Sequence, residues 1–484
     1  MESRCQRRTA AANDGGLVDV AIKQLCHPGA GISKQRPDLS WPVAHTHSLS
    51  CGKVEADMVT ERVENRAAGA AFRYRNFRLF LAARFLMVAG LEMQSVAVGW
   101  QIYEITRRPL DLGLVGLAQF LPGLLFFLVG GHVADRFDRR HVLLACYTSF
   151  GLCSLALLTI TLRGLHGVAP VYLVLVAMGM VRVFNGPASQ AFTPLLVPAE
   201  VFPSAAAWGS SVFNGATILG PVIGGVLYAL RGSPVAVYLT AATALGTSVL
   251  LMFAIRIRGV QQMSRGRDWN AVLAGFQYVW RNKLIFGTTT LDLFAVLLGG
   301  AVALLPIFAR EILNAGPRGL GLLRASPGLG AGMMALLLAY VPLRRRAGLK
   351  MLCCVTAFGA ATVVFGLSRN LYLSMFALVI VGASDMVSVI VRATIVQLAT
   401  PDEMRGRVSA VNMLFIGASN EFGQFESGIT AQWMGAVPAV VAGGVGTIVV
   451  VALWSWLFPA LRKVDSLTPE SLAIAAEQDL TETQ

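Results

Sequence analysis

Glu92, Arg182, Asp292, Asp385, Arg392, Glu421 and Glu426 each interrupt a stretch of sequence that is otherwise almost wholly apolar. A charged side chain at the centre of a bilayer costs roughly 2.5–3.5 kcal/mol even on the mildest insertion scale, so such groups face a cavity or a partner. The chemistry open to them there is proton binding and the making and breaking of ion pairs. No histidine falls inside these stretches: His27, His45 and His47 are in the N-terminal region, His132 and His141 flank a short charged segment, and His166 is in a loop. A buried proton carrier must then be a carboxylate. The candidates for proton coupling are Glu92, Asp292, Asp385 and Glu421, with Arg182 as their basic counterpart. Glu421, with Asn420 and Gln424 at neighbouring helical positions, reads equally well as a hydrogen-bond network holding helices together. Arg84, Arg324 and Arg392 lie near enough to the ends of their stretches to snorkel to the interface.

A second concentration of charge, "GGHVADRFDRRHVLL" (130–144), carries Asp135, Arg136, Asp138, Arg139 and Arg140 in a loop of about eight residues between two oily segments. Helix ends expose N–H and C=O groups bearing opposite partial charges of about half a unit, so an acid here can bond a helix N-terminus and an arginine a carbonyl or a carboxylate. Further along, Gly220, Pro221, Gly224 and Gly225 admit close backbone approach and a helix bend. The seven cysteines show no CxxC or metal-ligand spacing, and no GxxxxGK[ST] phosphate loop occurs. Neither a metal site, a cofactor nor nucleotide hydrolysis is expected.

The elements that position these residues follow from composition. The chain is 484 residues long, 55% hydrophobic and only 14% charged, against about 25% charged in a soluble domain. An integral membrane protein is expected. The net charge of +13 comes from Lys and Arg scattered between apolar segments rather than gathered on a soluble module, which argues against a nucleic-acid partner. A spanning helix needs about 20 mostly apolar residues, and such segments recur at 77–103, 111–131, 140–162, 170–192, 204–230, 234–256, 284–309, 319–342, 350–367, 371–397, 407–433 and 436–461. The reading is therefore an all-α membrane protein with twelve transmembrane helices. If the N-terminus is cytoplasmic, the inner segments hold 28 Lys and Arg and the outer loops 7, so both termini are placed inside.

The organisation expected is a cytoplasmic tail at 1–76, a six-helix bundle at 77–256, a cytoplasmic linker at 257–283, a second six-helix bundle at 284–462 and a short tail at 463–484. The linker contains "DWNAVLAGFQYVW", an amphipathic stretch suited to the membrane surface. The segment from Met58 reads as the true lead-in to the first span, with residues 1–57 as an over-long start. An offset of 205 residues lays "GLAQFLPGL" (116–124) on "GLLRASPGL" (321–329) and Arg139 and Arg140 on Arg344 and Arg345. An offset of 203 lays Gly220 on Gly423, Gly225 on Gly428 and Arg182 on Asp385. Such parallel repeats mark transporters in which one half rocks against the other, and they put Arg182 and Asp385 at matching depths, where a pair across the path is expected.

"GHVADRFDRR" resembles the loop signature GxxxDRxGRR of the major facilitator superfamily at Gly131, Asp135, Arg136, Arg139 and Arg140, with Asp138 where many members have Gly. "RVFNGPA" resembles the fourth-span signature RxxQGxxA at Arg182, Gly186 and Ala188, with Asn185 in the Gln place. "GPVIGG" resembles the core of the fifth-span antiporter signature at Gly220, Pro221, Gly224 and Gly225. Residues 75–462 as a whole look like the drug:proton antiporter branch that contains the enterobactin exporter and related secretion permeases. The resemblance implies two six-helix pseudo-repeats with spans 1, 4, 7 and 10 along a central path, and a cytoplasmic latch at Gly131, Asp135, Arg136, Arg139 and Arg140. It further implies a monomer of the bacterial inner membrane, catalysing no bond chemistry, that exports a small amphipathic molecule (siderophore, drug or metabolite) by proton antiport. Uptake or facilitated diffusion, and a non-transporting scaffold or sensor of the same fold, are the alternatives.

Overall fold

The computed structural model describes residues 69–164, 167–256, 269–341, 343, 345–466 and 468, without the side chains at 127, 128, 130–132, 134, 135 and 269–272. Residues 1–68 of the expected N-terminal tail, the start of the linker and most of the C-terminal tail lie outside the described residues, while the last part of the expected tail forms a 3-10 turn, Ala70–Arg73, and begins α1 at Arg75. Twelve long helices carry the described chain: α1 Arg75–Thr106, α2 Pro109–Arg136, α3 Arg139–Leu162, α4 Ala169–Phe192, α5 Phe202–Arg231, α6 Val235–Ala254, α7 Lys283–Gly299, α8 Gly316–Tyr340, α9 Ala347–Leu367, α10 Leu371–Leu398, α11 Asp402–Met434 and α12 Ala436–Leu457. Among the described residues there is no strand. Eleven of the twelve are long and apolar enough to cross a membrane, counting α7 with its continuation to Ile312. The other, α11, has 33 residues and is diluted by Asp402, Glu403, Arg405, Arg407, Glu421 and Glu426, yet it packs between α2 and α7 as one of the bundle.

Local chemistry sets the helix boundaries. Arg107 closes α1 in the left-handed region at φ 53°, and Pro109 opens α2 where its missing N–H costs nothing. Gly232 closes α5 at φ 61°, the αL terminus that glycine adopts without a Cβ penalty. Asn282 and Asn370 cap α7 and α10 through side-chain oxygens that accept backbone N–H bonds. The amphipathic stretch of the linker is a helix, Trp269–Arg281, lying against the start of α11 where Gly275 meets the backbone of Arg407.

Helix packing repeats between the two halves. In the first, α1 packs on α5 and α6, α2 on α4, and α3 on α4 and α6; in the second, α7 packs on α11 and α12, α8 on α10, and α9 on α10 and α12. Each pair has its counterpart six helices later, as the offsets of 203 and 205 anticipate. The halves meet through α2 with α11 and α5 with α8, again a matched pair. At these seams glycines bring backbones together: Gly113 faces Gly428, and Gly225 faces Gly321 and the carbonyl of Pro317. Small residues are what membrane helices use for close approach, since hydrocarbon supplies no hydrophobic drive between them.

Two boundaries differ from expectation. The charged segment 132–139 is not a loop of about eight residues: α2 continues to Arg136 and α3 starts at Arg139, so only Phe137 and Asp138 connect them. Asp138 makes this tight turn workable, because its carboxylate accepts the N–H of Arg140 at 2.8 Å and caps α3. The seventh span is not one continuous helix. At Gly300 (φ −72°, ψ 64°) α7 stops, and the chain goes on as a 3-10 turn Ala301–Leu304, a short helix Leu305–Ile307 and a π turn Phe308–Ile312. Pro306, without an N–H to give, sits in the rewound segment. At the other end the chain stays docked past residue 463: Val464 is buried and the Asp465 carboxylate accepts the N–H of Arg346.

Candidate functional site

The side of the bundle from which α1 starts is called the tail side below, and the opposite face the far side. Between them lies a cavity lined by α1, α2, α4 and α8, by α11 and by the rewound part of the seventh span. Its wall mixes apolar groups such as Leu91, Val98, Leu112 and Met178 with Gln94, Gln119 and Gln424 and the guanidiniums of Arg182 and Arg324. Beside the lining, Glu92 approaches Arg324 with Oε2 at 4.0 Å from Nε, both side chains part-exposed, and Ser95 donates to the Glu92 backbone carbonyl at 2.8 Å. Glu421 accepts a bond from Gln424 Nε2 at 2.9 Å and shares its electrostatic neighbourhood with Arg182, Arg324 and Glu92. Two bases from the two halves thus line one cavity, with the two acids next to them just behind its wall. A small number of convergent polar groups in a largely apolar pocket is the usual make-up of a small-molecule site.

Asp292 and Asp385 are elsewhere. Asp292 on α7 pairs with Arg392 on α10, Oδ2 to Nη1 at 2.7 Å, with both residues buried. Asp385 shares with Asp292, Ser384 and Ser388 a small separate cavity in the second half, closed on its apolar side by Val355 and Phe358. The expected pair of Arg182 with Asp385 is therefore not formed, since the two line different cavities. Equal depth in two repeats leaves the direction around each helix free, and these directions differ. Snorkelling fails for two of the three arginines assigned to it. Arg392 is 2% exposed and ion-paired in the core, and Arg324 turns into the central cavity; Arg84, part-exposed, lies over the ring of Phe213 at 5.7 Å. Glu426, held by Thr430 Oγ1 at 2.6 Å, opens on an apolar groove between α7 and α11 rather than on the central cavity.

Of the segment 130–144, the side chains of Gly131 and Asp135 lie outside the description. Arg139 donates to the carbonyl of Ala191 at 3.2 Å and Arg140 to that of Phe253 at 3.0 Å, each at the C-terminal end of a helix of its own half. Arg136 is exposed. The four residues singled out in α5 divide by partner. Gly220 and Gly224 are set against Glu92, Ala89 and Met93 of α1, while Gly225 and the carbonyl of Pro221 are set against α8 at Gly321.

A cluster that the sequence did not disclose joins the halves at the far side. Tyr103 donates to Glu311 Oε1 at 2.6 Å, Arg107 stands 3.7 Å from the same oxygen, Arg310 is 3.5 Å from Glu104, and Tyr228 donates to Glu104 at 3.1 Å. The Arg310 guanidinium also covers the ring of Trp100 at 5.3 Å. The π turn makes this possible by bringing both Arg310 and Glu311 toward α1. The available signal was Glu104 and Arg107 at one far-side end and Arg310 and Glu311 at another. Among the described residues, the contacts of Glu311 with Tyr103 and Arg107, of Arg310 with Glu104, and of Glu92 with Arg324 cross between the halves, while the Tyr228–Glu104 bond lies within the first. The far side is therefore fastened. Glu311→Gln is expected to weaken the fastening by about 1 kcal/mol, the net worth of one such hydrogen bond, which is roughly a fivefold rise in the far-side-open population. Spin-label distances between the far-side ends of α1 and α8 measure it.

The sequence profile described as transmembrane secretion effector matches residues 66–483. The enterobactin exporter of Escherichia coli (strain SMS-3-5 / SECEC) is 27% identical over 403 residues, covering 82% of this chain and 95% of that protein, and that of Shigella boydii serotype 4 (strain Sb227) is 27% identical over 402 residues with the same coverage. Among solved structures, a bacterial homologue of the human lysosomal transporter Spinster in an inward-facing, occupied conformation is similar at a TM-score of 0.64, with 13% identity over 79% of this chain and 96% of that one. The D-xylose-proton symporter is similar at a TM-score of 0.59, with 12% identity over 79% and 97%. At these identities the solved structures speak to the fold alone, and the profile match speaks to descent. The chain belongs to the transmembrane secretion effector family of major facilitator transporters.

Proposed function

We propose that this transporter works as a monomer in the bacterial inner membrane, with both termini cytoplasmic, and exports a small amphipathic molecule in exchange for protons. The observation that carries the reading is the central cavity: apolar and charged by turns, built from both halves, and fastened shut on the far side. The distribution of Lys and Arg supports taking the tail side as the cytoplasm, and the fastened far side would then be the outer one, as an inward-facing state of an alternating-access cycle requires. The direction of transport is supported by the relatives named as exporters. A bound proton drives the cycle only in so far as its affinity differs between the two states, and the intramembrane acids Glu92, Asp292, Asp385 and Glu421 are the groups able to provide that difference.

Inverted membrane vesicles with an acidic lumen test the reading. Offered a panel of siderophores, lipophilic drugs and acidic metabolites, vesicles with the transporter should accumulate at least one compound. A protonophore should abolish the accumulation, as should Arg182→Ala at normal membrane insertion. Accumulation confined to right-side-out vesicles would make the protein an uptake carrier, and full biological activity in Arg182→Ala would make it a scaffold or sensor.

A further inference from the structure

We infer that the coupling proton is carried by Asp385 in the small cavity of the second half, apart from the cargo cavity, while Arg392 holds Asp292 as a standing ion pair. The inference rests on the proton-coupled reading above and assigns it to one carboxylate. Charge balance is the first argument. The cavity contains two acids, Asp292 and Asp385, and one guanidinium lies within reach of them; its ion pair at 2.7 Å is with Asp292. With both acids ionised, the cluster has one negative charge in excess in apolar surroundings, which is costly unless a cation joins it.

No neighbouring element supplies that cation. The only acid or base on α7 facing the cavity is Asp292, and α9 contributes Val355 and Phe358 to its wall, its thiols at Cys353 and Cys354 lying outside the lining. The interior base of α8, Arg324, turns into the central cavity toward Glu92. Asp385 itself makes no hydrogen bond or ion pair among the described residues, and neither Nε nor Nη1 of Arg392, both buried, makes a hydrogen bond, so Asp292 is held by charge alone. A proton on Asp385 balances the charge without disturbing the pair beside it. Glu92 and Glu421, in contrast, already have partners in Arg324 and Gln424.

Separation of the two sites requires a mechanical link, and the packing contains one. Gly382, one turn before Asp385 on α10, lies directly against the backbone of Pro327, which is one turn beyond Arg324 on α8; a Cβ at 382 would overlap the Pro327 carbonyl. A shift of α10 on protonation of Asp385 is therefore felt at the Arg324–Glu92 pair without cargo and proton competing for one group.

Infrared spectroscopy on the full-length protein reconstituted in liposomes tests the assignment without knowledge of the cargo. Between mildly acidic and mildly alkaline pH, the wild type should show a protonated-carboxyl C=O band that titrates. The band should vanish in Asp385→Asn, persist in Asp385→Glu, Glu92→Gln and Glu421→Gln, and be lost in Asp292→Asn, where Arg392 is released to pair with Asp385. In a variant with native cysteines replaced by serine, maleimide labelling of Ser95→Cys should depend on pH and lose that dependence on adding Asp385→Asn. A titrating band that survives Asp385→Asn, or disappears in Glu92→Gln, would overturn the assignment while leaving proton-driven export intact. A band that responds to sodium at constant pH would overturn it in favour of a metal cation.

Discussion

Arg392→Leu is expected to lower the unfolding free energy by about 3–5 kcal/mol, the range for removing one partner of a buried ion pair. Arg392 and Asp292 are 2% and 5% exposed, and their charged atoms are 2.7 Å apart. Leucine at 392 would leave the Asp292 carboxylate among Leu291, Ala295, Val355 and Val391 of the second-half core with no guanidinium to answer it. Coulombic attraction alone does not make such a pair favourable, because taking both ions out of water costs as much or more. The large penalty belongs to the widowed charge. For that reason Asp292→Leu combined with Arg392→Leu should recover most of the loss, although it deletes more polar contacts than the single change. Thermal unfolding of the purified protein in detergent distinguishes the cases: equal losses in the single and double variants would mean that the pair is not what the substitution breaks.

The same residue shows where the sequence stops being informative. Twelve spans and their duplication were legible because each apolar window and each offset is a property of the linear chain, and the observed pairing of helices, repeated six helices later, follows the duplication. Even the polar α11 was legible, as the window 407–433. Arg392 was misplaced, along with Arg324, since distance from a span end says how far a side chain must reach but not which way it points. That direction is settled by neighbouring helices. Arg182 and Asp385 failed as a pair for the same reason: an offset of 203 equates their depth and leaves their azimuth open. The break at Gly300 was hidden because apolar residues run on through it from 284 to 309, and the far-side cluster was hidden because it depends on the π turn that follows the break. Of the central site, Glu92, Arg182 and Glu421 were found as charges that had to face something. What they face needed the fold.

Gly225→Leu should shift the transporter away from its far-side-closed state by roughly 5–150-fold, because overpacking a close contact costs about 1–3 kcal/mol. A Cβ at 225 would lie 2.5 Å from the carbonyl of Pro317 and 2.9 Å from the Cα of Gly321, both backbone atoms of α8 in the other half. Backbone cannot rotate out of the way as a side chain can, so the remaining relief is to separate α5 from α8, the motion that opens the far side. Gly224→Leu, one position earlier, isolates this argument. Its Cβ would meet the backbone of Met93 on α1 at 2.8 Å, within the same half, and a rigid half carries that clash into every state of the cycle. The neighbouring substitutions should therefore separate cleanly: Gly224→Leu lowers the melting temperature and leaves the distribution of distances between halves unchanged, whereas Gly225→Leu lengthens far-side distances and shortens tail-side ones. Spin-label pairs across α5 and α8 at each end measure both, and identical distance distributions in the two variants would show that the glycine seam packs the halves without governing which side is open.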